Sequence, residues 1–181
     1  MSPSPDRADQ TLPIRDDDHI VGPDTAAVTV VVYCDFECPY CRHASPIVTR
    51  LQDRLRDRLR VVFRHFPLIH KHPLAQQAAE ASEAAGAQGQ FWAMHDLLFE
   101  HQDALAQDDL RRYAEMLRLD LARFERELTG RVHAKRVERD REGGRRFGVK
   151  GTPTFCLNGV VHTDEDTLEQ LVLRLCGEAP G

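Results

Sequence analysis

The first sustained apolar run is Ala27-Val28-Thr29-Val30-Val31-Val32-Tyr33-Cys34, β-branched and almost continuous. A strand buried on both faces reads this way, so the pattern predicts a central sheet strand. Pro39 then stands where a helix can begin, because its missing N–H and fixed φ cost nothing at the first helical position. Ile47, Val48, Leu51, Leu55 and Leu59 follow at helical spacing. Arg60 to Phe66, RVVFRHF, predicts a second strand, ended by Pro67. Strand, helix, strand is the order of a parallel βαβ unit.

From Leu74 to about Arg146 the alternation of strands is absent and apolar residues recur at helical spacing. Ala78, Ala81 and Ala85 form one stripe, Trp92, His95 and Phe99 another. Leu110, Ala114 and Leu117, then Leu121, Phe124 and Leu128, form two more. Gly86, Gly89 and Asp108-Asp109 punctuate them as caps or turns. Arg131 to Arg146 is dominated by charge, with only Val132 and Val137 to bury, and predicts a solvated helix face. Strand pattern returns at Thr154-Phe155-Cys156-Leu157, and Asn158-Gly159 before Val160-Val161 is the turn chemistry of a hairpin. Thr163 to Asp166 predicts the N-cap of a last helix carrying Leu168, Leu171, Val172 and Leu175, which Gly177 can stop. The fold class is α/β with an inserted all-helical subdomain. The divisions are a polar tail at 1–25, a βαβ half at 26–73, the helical insertion at 74–146 and a hairpin-helix half at 147–178.

Composition narrows the function. A formal net charge of -5 argues against a nucleic-acid partner, whose site would be basic. The first 25 residues carry Ser, Pro and Asp where a secretory signal needs a basic start and an apolar core, and no apolar run reaches membrane-spanning length. Neither membrane insertion nor export is expected, and the predicted compartment is the cytoplasm. There the five cysteines, an odd number, point away from a structural disulfide framework and toward redox or metal chemistry.

Cys38 and Cys41, in DFECPYCR, lie three apart at the start of the first helix. Residues so spaced share a helix face, so the two sulfurs can reach bonding distance. Cys38, at the positive end of the helix, is expected to have its thiolate stabilised below the free value of about 8.5 and to attack; Cys41, one turn inside, is placed to resolve. The alternative is a non-catalytic module, holding zinc or an iron-sulfur cluster on the same cysteines or sensing redox state through them. Zinc usually needs a second close pair, whereas Cys156 and Cys176 are isolated, although His70 and His72 carry nitrogens.

Four blocks in order, Phe36-x-Cys38-Pro39-Tyr40-Cys41, Phe63 to Leu68, Gly89 to Trp92 and Gly148 to Phe155, resemble the DsbA-like branch of the thioredoxin superfamily, over about Ile20 to Leu175. The resemblance implies a thioredoxin fold with the helical subdomain inserted between its halves. It also implies Cys38 as nucleophile, Cys41 as resolving thiol and a cis Thr152-Pro153 peptide facing them. Clients would dock as an added strand on Thr152 and Pro153, with Pro39 and Tyr40 completing the substrate surface. Tyr40 stands where the periplasmic oxidant has histidine, which leaves the redox direction open. The implied partners are client proteins with thiols or disulfides. No cofactor is implied beyond the disulfide itself, with glutathione or a dithiol protein as electron partner.

Cys34 and Cys156, on strands that neighbour each other in such a fold, are candidates for a second redox pair. Cys176 reads as the end of a core stripe. His65, His70 and His72 are expected near the mouth of the site. Glu37 and Arg42, flanking the cysteines, would push the thiolate energy in opposite directions.

Overall fold

The structure, a computed structural model, describes residues 12–178. Its sheet has five strands: β1 (His19–Val21), β2 (Val28–Cys34), β3 (Leu59–His65), β4 (Thr154–Leu157) and β5 (Val160–His162), in the order β1-β3-β2-β4-β5. β2 and β3 run parallel, from Val28 beside Leu59 to Cys34 beside His65, and are joined by α1 (Pro39–Leu55). This crossover leaves β2 at the sheet centre, covered on both faces, as its apolar run requires. The other neighbouring pairs are antiparallel, and Asn158 and Gly159 turn β4 into β5 with positive φ at both positions, the backbone of a tight hairpin turn.

Between β3 and β4 come α2 (Ala75–Gly86), α3 (Phe91–Glu100), α4 (Gln107–Met116), α5 (Leu121–Thr129) and α6 (Ala134–Arg146); α7 (Glu165–Leu175) closes the chain's order of elements. Alternate residues of β2 divide the core. Val28, Val30, Val32 and Cys34 face α1, α7 and the insertion, while Val31 and Tyr33 join Val62, Phe66, Val149 and Cys156 on the other face. α7 starts at Asp164, whose carboxylate accepts from the Thr167 N–H at 2.6 Å, and Gly177 takes positive φ just past its end.

Four expectations are corrected. Leu59 is not in the first helix but opens β3, because Arg56 takes φ 46° and the helix ends at Leu55. Residues 1–25 are not wholly a polar tail: His19–Val21 pairs with β3, and Leu12 and Ile14 pack on the second core face. Leu175 is half exposed and lies outside the core stripe of its helix.

The fourth concerns 131–146. Val132 is exposed while Val137 is buried as expected, and α6 is not merely a solvated face but also buries Asp140 and Gly144, residues with no hydrophobic signal. The Asp140 carboxylate, fully buried, accepts from Arg15, from Arg136 at 2.5 Å and from the His65 backbone N–H at 3.2 Å. Gly144 lies so close that a Cβ would stand 2.9 Å from both Phe66 and Tyr33.

Candidate active site

The site forms where β2 hands over to α1. The loop between them is short, and buried polar groups hold it. The Asp35 carboxylate, itself buried, accepts from the backbone N–H of Glu37 at 2.8 Å and of Leu68 at 2.7 Å, and pairs with His72 Nδ1 at 2.8 Å. Glu37 accepts from the Leu74 N–H at 2.7 Å, and Gln102 Nε2 donates to the carbonyls of Phe36 and Cys38 at 2.8 and 2.9 Å. The loop is thereby tied to the segment after β3, to the start of α2 and to the turn after α3.

Cys38 is the N-cap residue of α1, with extended φ and ψ, and Pro39 is the first helical residue. Its Sγ donates to the carbonyl oxygen of Thr152 at 3.3 Å, and the Thr152-Pro153 peptide is cis. Cys41 lies fully buried one turn on, its Sγ accepting from the Asp35 N–H at 3.4 Å. The two cysteines lie one turn apart in the same buried cluster, near enough for each thiol to perturb the other. Pro39 and Tyr40 face solvent, Tyr40 at 69% exposure, while Pro153 is buried beneath.

The electrostatics differ from the expected stabilised thiolate. The Cys41 thiol, followed by burial, pushes the Cys38 thiol up, against the Thr152 side chain and the Cys41 backbone N–H, which pull it down. Cys41 is held well above the ordinary thiol value, first by burial and then by the thiol of Cys34. Burial and the neighbouring sulfurs therefore raise both thiols in the dithiol state. Glu37 and Arg42 do not compete over Cys38: Glu37 is spent on Leu74, and Arg42 lies 3.8 Å from exposed Asp103.

Cys34 and Cys156 do not form a pair. The ladder between β2 and β4 sets Cys156 beside Val31, and the two cysteines fall on opposite faces of the sheet. Cys34 instead shares its buried cluster with Cys41, whose thiol it helps to raise. Cys176 is buried against the carbonyl of Arg58. His65 is not at the mouth; it is buried, with Nε2 at 2.8 Å from Glu83. Of the other two histidines, His72 reaches Asp35 and His70 is exposed.

Among the described residues the group with metal-ligand geometry is His19, His65 and Glu83, not the cysteines. Glu83 Oε1 accepts from both imidazoles at 2.8 Å, and Arg136 lies 3.8 Å from the same oxygen. Burial alone would raise the Glu83 carboxyl, but the two histidines hold it far below the usual carboxylate range. A guanidinium beside the carboxylate already supplies positive charge there, so the cluster is a hydrogen-bonded charge network.

The loop ties were outside what the sequence pattern could show. Gln102 belongs to no stripe or motif, and apart from the Glu37 N–H the partners of Asp35 and Gln102 lie 33 or more residues away along the chain.

A family model described as Thioredoxin matches residues 15–174. The chain belongs to the thioredoxin family. A thioredoxin-like oxidoreductase from Silicibacter pomeroyi shares 26% identity at a TM-score of 0.78, covering 91% of this chain and 95% of that one. BdbD from Bacillus subtilis, in its oxidised form, shares 24% identity at a TM-score of 0.76, covering 87% and 92%. The fold is thus that of DsbA-like thiol-disulfide oxidoreductases, with the helical subdomain inserted in the thioredoxin fold.

Curated relatives add a different context. A Na(+)/H(+) antiporter NhaA 3 of Salinispora tropica is 50% identical over 164 residues, which is 90% of this chain and 25% of the relative. A Na(+)/H(+) antiporter NhaA 1 of Mycolicibacterium vanbaalenii is 41% identical over 151 residues, 81% of this chain and 24% of the relative. The chain spans about a quarter of the length of these relatives. Among the described residues, no helix is long and apolar enough to cross a membrane.

Proposed function

We propose that this protein exchanges disulfides with thiol-bearing proteins or small thiols through Cys38 and Cys41. The observation that carries the reading is the pair of cysteines one turn apart at the start of α1, with the outer one donating to the Thr152 carbonyl. As a reductant, Cys38 thiolate attacks a client disulfide; the new bond joins Cys38 to one client sulfur while the other leaves as thiolate. Cys41 then attacks the Cys38 sulfur, a Cys38–Cys41 disulfide forms, and the second client thiol departs. Two electrons pass to the client. Run backward, the same steps oxidise a dithiol.

Exposed Pro39 and Tyr40 give the client an apolar landing beside Cys38, and the backbone at Thr152 and Pro153 offers an edge to which an extended segment can pair. The disulfide is the redox group, so no further cofactor enters, and glutathione or a dithiol protein returns or removes the electrons. In a cytoplasm poised by glutathione an oxidising pair rests largely as dithiol and serves as reductase or rescue enzyme.

The test is equilibration of the protein in glutathione buffers, with Cys41→Ser as control. A two-electron transition at the Cys38–Cys41 pair, lost in Cys38→Ser, is the expected result. A midpoint at or above about -200 mV marks an oxidant or isomerase, and one at or below about -250 mV a reductase. Protein that shows no dithiol transition, or that carries one tightly held metal per chain on these cysteines, would refute the reading.

A further inference from the structure

Three of the five cysteines converge. Cys34 ends β2 on the face that looks toward α1, and Cys41 hangs from the first turn of α1 onto the same face. Cys41 Sγ lies 3.4 Å from the backbone nitrogen of Asp35, the residue immediately after Cys34, and the two cysteines share one buried cluster, where the Cys34 thiol helps to raise that of Cys41. Cys41 meets Cys38 as well. Its sulfur therefore stands between two others, one outward at the site and one inward at the sheet.

The inner thiol also has room to move. Cys34 lines a cavity of about 230 Å³ between α1, the sheet and α3, walled by Val32, Ala44, Phe63, Trp92 and Phe99. The cavity opens to solvent past Thr49, Asp53 and Asp96; side chains in a filled interior are locked by their neighbours, whereas one that borders open space can change rotamer at small cost. Cys34 is thus a buried nucleophile in the same cluster as the resolving cysteine, and the two-cysteine cycle above makes no use of it.

We propose that Cys34 is a third redox cysteine, which takes the bond to Cys41 over from Cys38. Resting on the disulfide-exchange reading of Cys38 and Cys41, the step starts from their disulfide. Cys34 Sγ attacks Cys41 Sγ; the Cys34–Cys41 bond forms as the Cys41–Cys38 bond breaks, and the proton lost by Cys34 ends on Cys38. The two disulfides are isomers, so no electron enters or leaves the protein and no co-reactant is needed.

The step regenerates Cys38 as a free thiol in a molecule that is still oxidised. Such a Cys38 can attack a client disulfide, while the oxidising equivalent waits between Cys34 and Cys41. The mixed disulfide can then be returned to the client by reversal, which is the chemistry of disulfide isomerisation rather than of net oxidation or reduction.

Tryptic cleavage after Arg15 and Arg42 leaves Cys34, Cys38 and Cys41 on one peptide, with no lysine or arginine between. Wild-type protein oxidised with glutathione disulfide is quenched in acid and its free thiols are blocked with N-ethylmaleimide in mildly acidic denaturant. Reduction and iodoacetamide labelling follow, and fragment spectra locate each label. We expect maleimide on Cys38, with iodoacetamide on Cys34 and Cys41, in at least about 1 in 100 oxidised molecules, the population of an isomer within a few kcal/mol.

Cys38→Ser treated with diamide should form the Cys34–Cys41 bridge, and Cys34→Ser/Cys38→Ser should not. Maleimide on Cys34 in every oxidised wild-type molecule overturns the inference and leaves the two-cysteine exchange standing, even if the bridge appears in Cys38→Ser. Maleimide on all three cysteines after oxidation overturns the exchange reading and this inference together.

Discussion

The Asp35 carboxylate, with 1% of the residue exposed, accepts the backbone N–H of Leu68 at 2.7 Å and so ties the active-site loop to the segment leaving β3. The same carboxylate receives the Glu37 N–H and His72. Removing it strands two backbone donors away from water, and each stranded donor costs about 1–3 kcal/mol. Asp35→Ala should therefore unfold at lower urea, by roughly 2–4 kcal/mol in stability. Asp35→Asn should cost less, because one amide oxygen still accepts. Equal losses in the two variants would show that shape rather than accepting capacity matters.

Gln102 holds the carbonyls of Phe36 and Cys38 from the turn after α3. One amide group spans the loop in which Cys38 must keep its position against Thr152. Gln102→Ala gives up two hydrogen bonds, each worth about 1 kcal/mol net, and water can replace part of that. Stability should fall by about 1–2 kcal/mol. Client exchange should slow more than stability predicts, since the nucleophile loses its backbone tether. Exchange rates that match wild type, measured where both proteins are fully folded, would refute the positioning role.

Gly144 permits α6 to lie against Tyr33 and Phe66. A methyl group there would stand 2.9 Å from both rings, nearer than carbon contacts allow. Two large side chains or the helix itself must shift. Overpacking of this kind costs about 1–3 kcal/mol, against a helix-propensity gain of up to about 1 kcal/mol from replacing glycine. Gly144→Ala should be net destabilising in chemical denaturation, whereas Gly143→Ala, where a Cβ meets nothing within 4 Å, should be neutral or stabilising. The reverse ranking would mean α6 does not approach the sheet this closely.

What the sequence revealed follows from where burial repeats. β2 is a continuous apolar run because both of its faces are covered, and the stripes at Trp92-His95-Phe99 and Leu121-Phe124-Leu128 fall in α3 and α5. Period failed where it was ambiguous or too short. Leu59 stands at helical distance from Leu55 yet opens a strand, and three residues of β1 contain too little alternation to read. In α6 the buried residues include Asp140 and Gly144, a charge and a missing side chain, which no hydrophobic pattern can reveal. At the site, the CxxC spacing at the helix start located Cys38 and Cys41, but the inner neighbour of Cys41 depended on how α1 packs on β2. Strand adjacency alone pointed to Cys156, and the ladder places that residue on the other face.

Acid should test the second core face through Asp18. Its side chain is fully buried and accepts from Arg64 at 2.7 and 3.0 Å and from the Arg15 backbone at 2.8 Å. Burial alone would raise this carboxyl, but the hydrogen bonds from Arg64 and Arg15 win and lower it from 3.8 to about 2. A carboxyl depressed in the folded state binds its proton more readily when unfolded. Its contribution is therefore fully present above about pH 5, and is lost as pH falls through 3.8 toward 2. The shift corresponds to about 2 kcal/mol. Asp18→Asn should be strongly destabilised near neutrality, because it leaves the buried Arg64 guanidinium without its countercharge. The gap to wild type, measured as urea stability at successive pH values, should narrow by about 2 kcal/mol on going from pH 6 to pH 2. Other carboxylates titrate in both proteins and cancel in the difference. A gap that stays constant with pH would mean that Asp18 is not held ionised by Arg64, and would refute the buried ion pair as the anchor of the segment before β1.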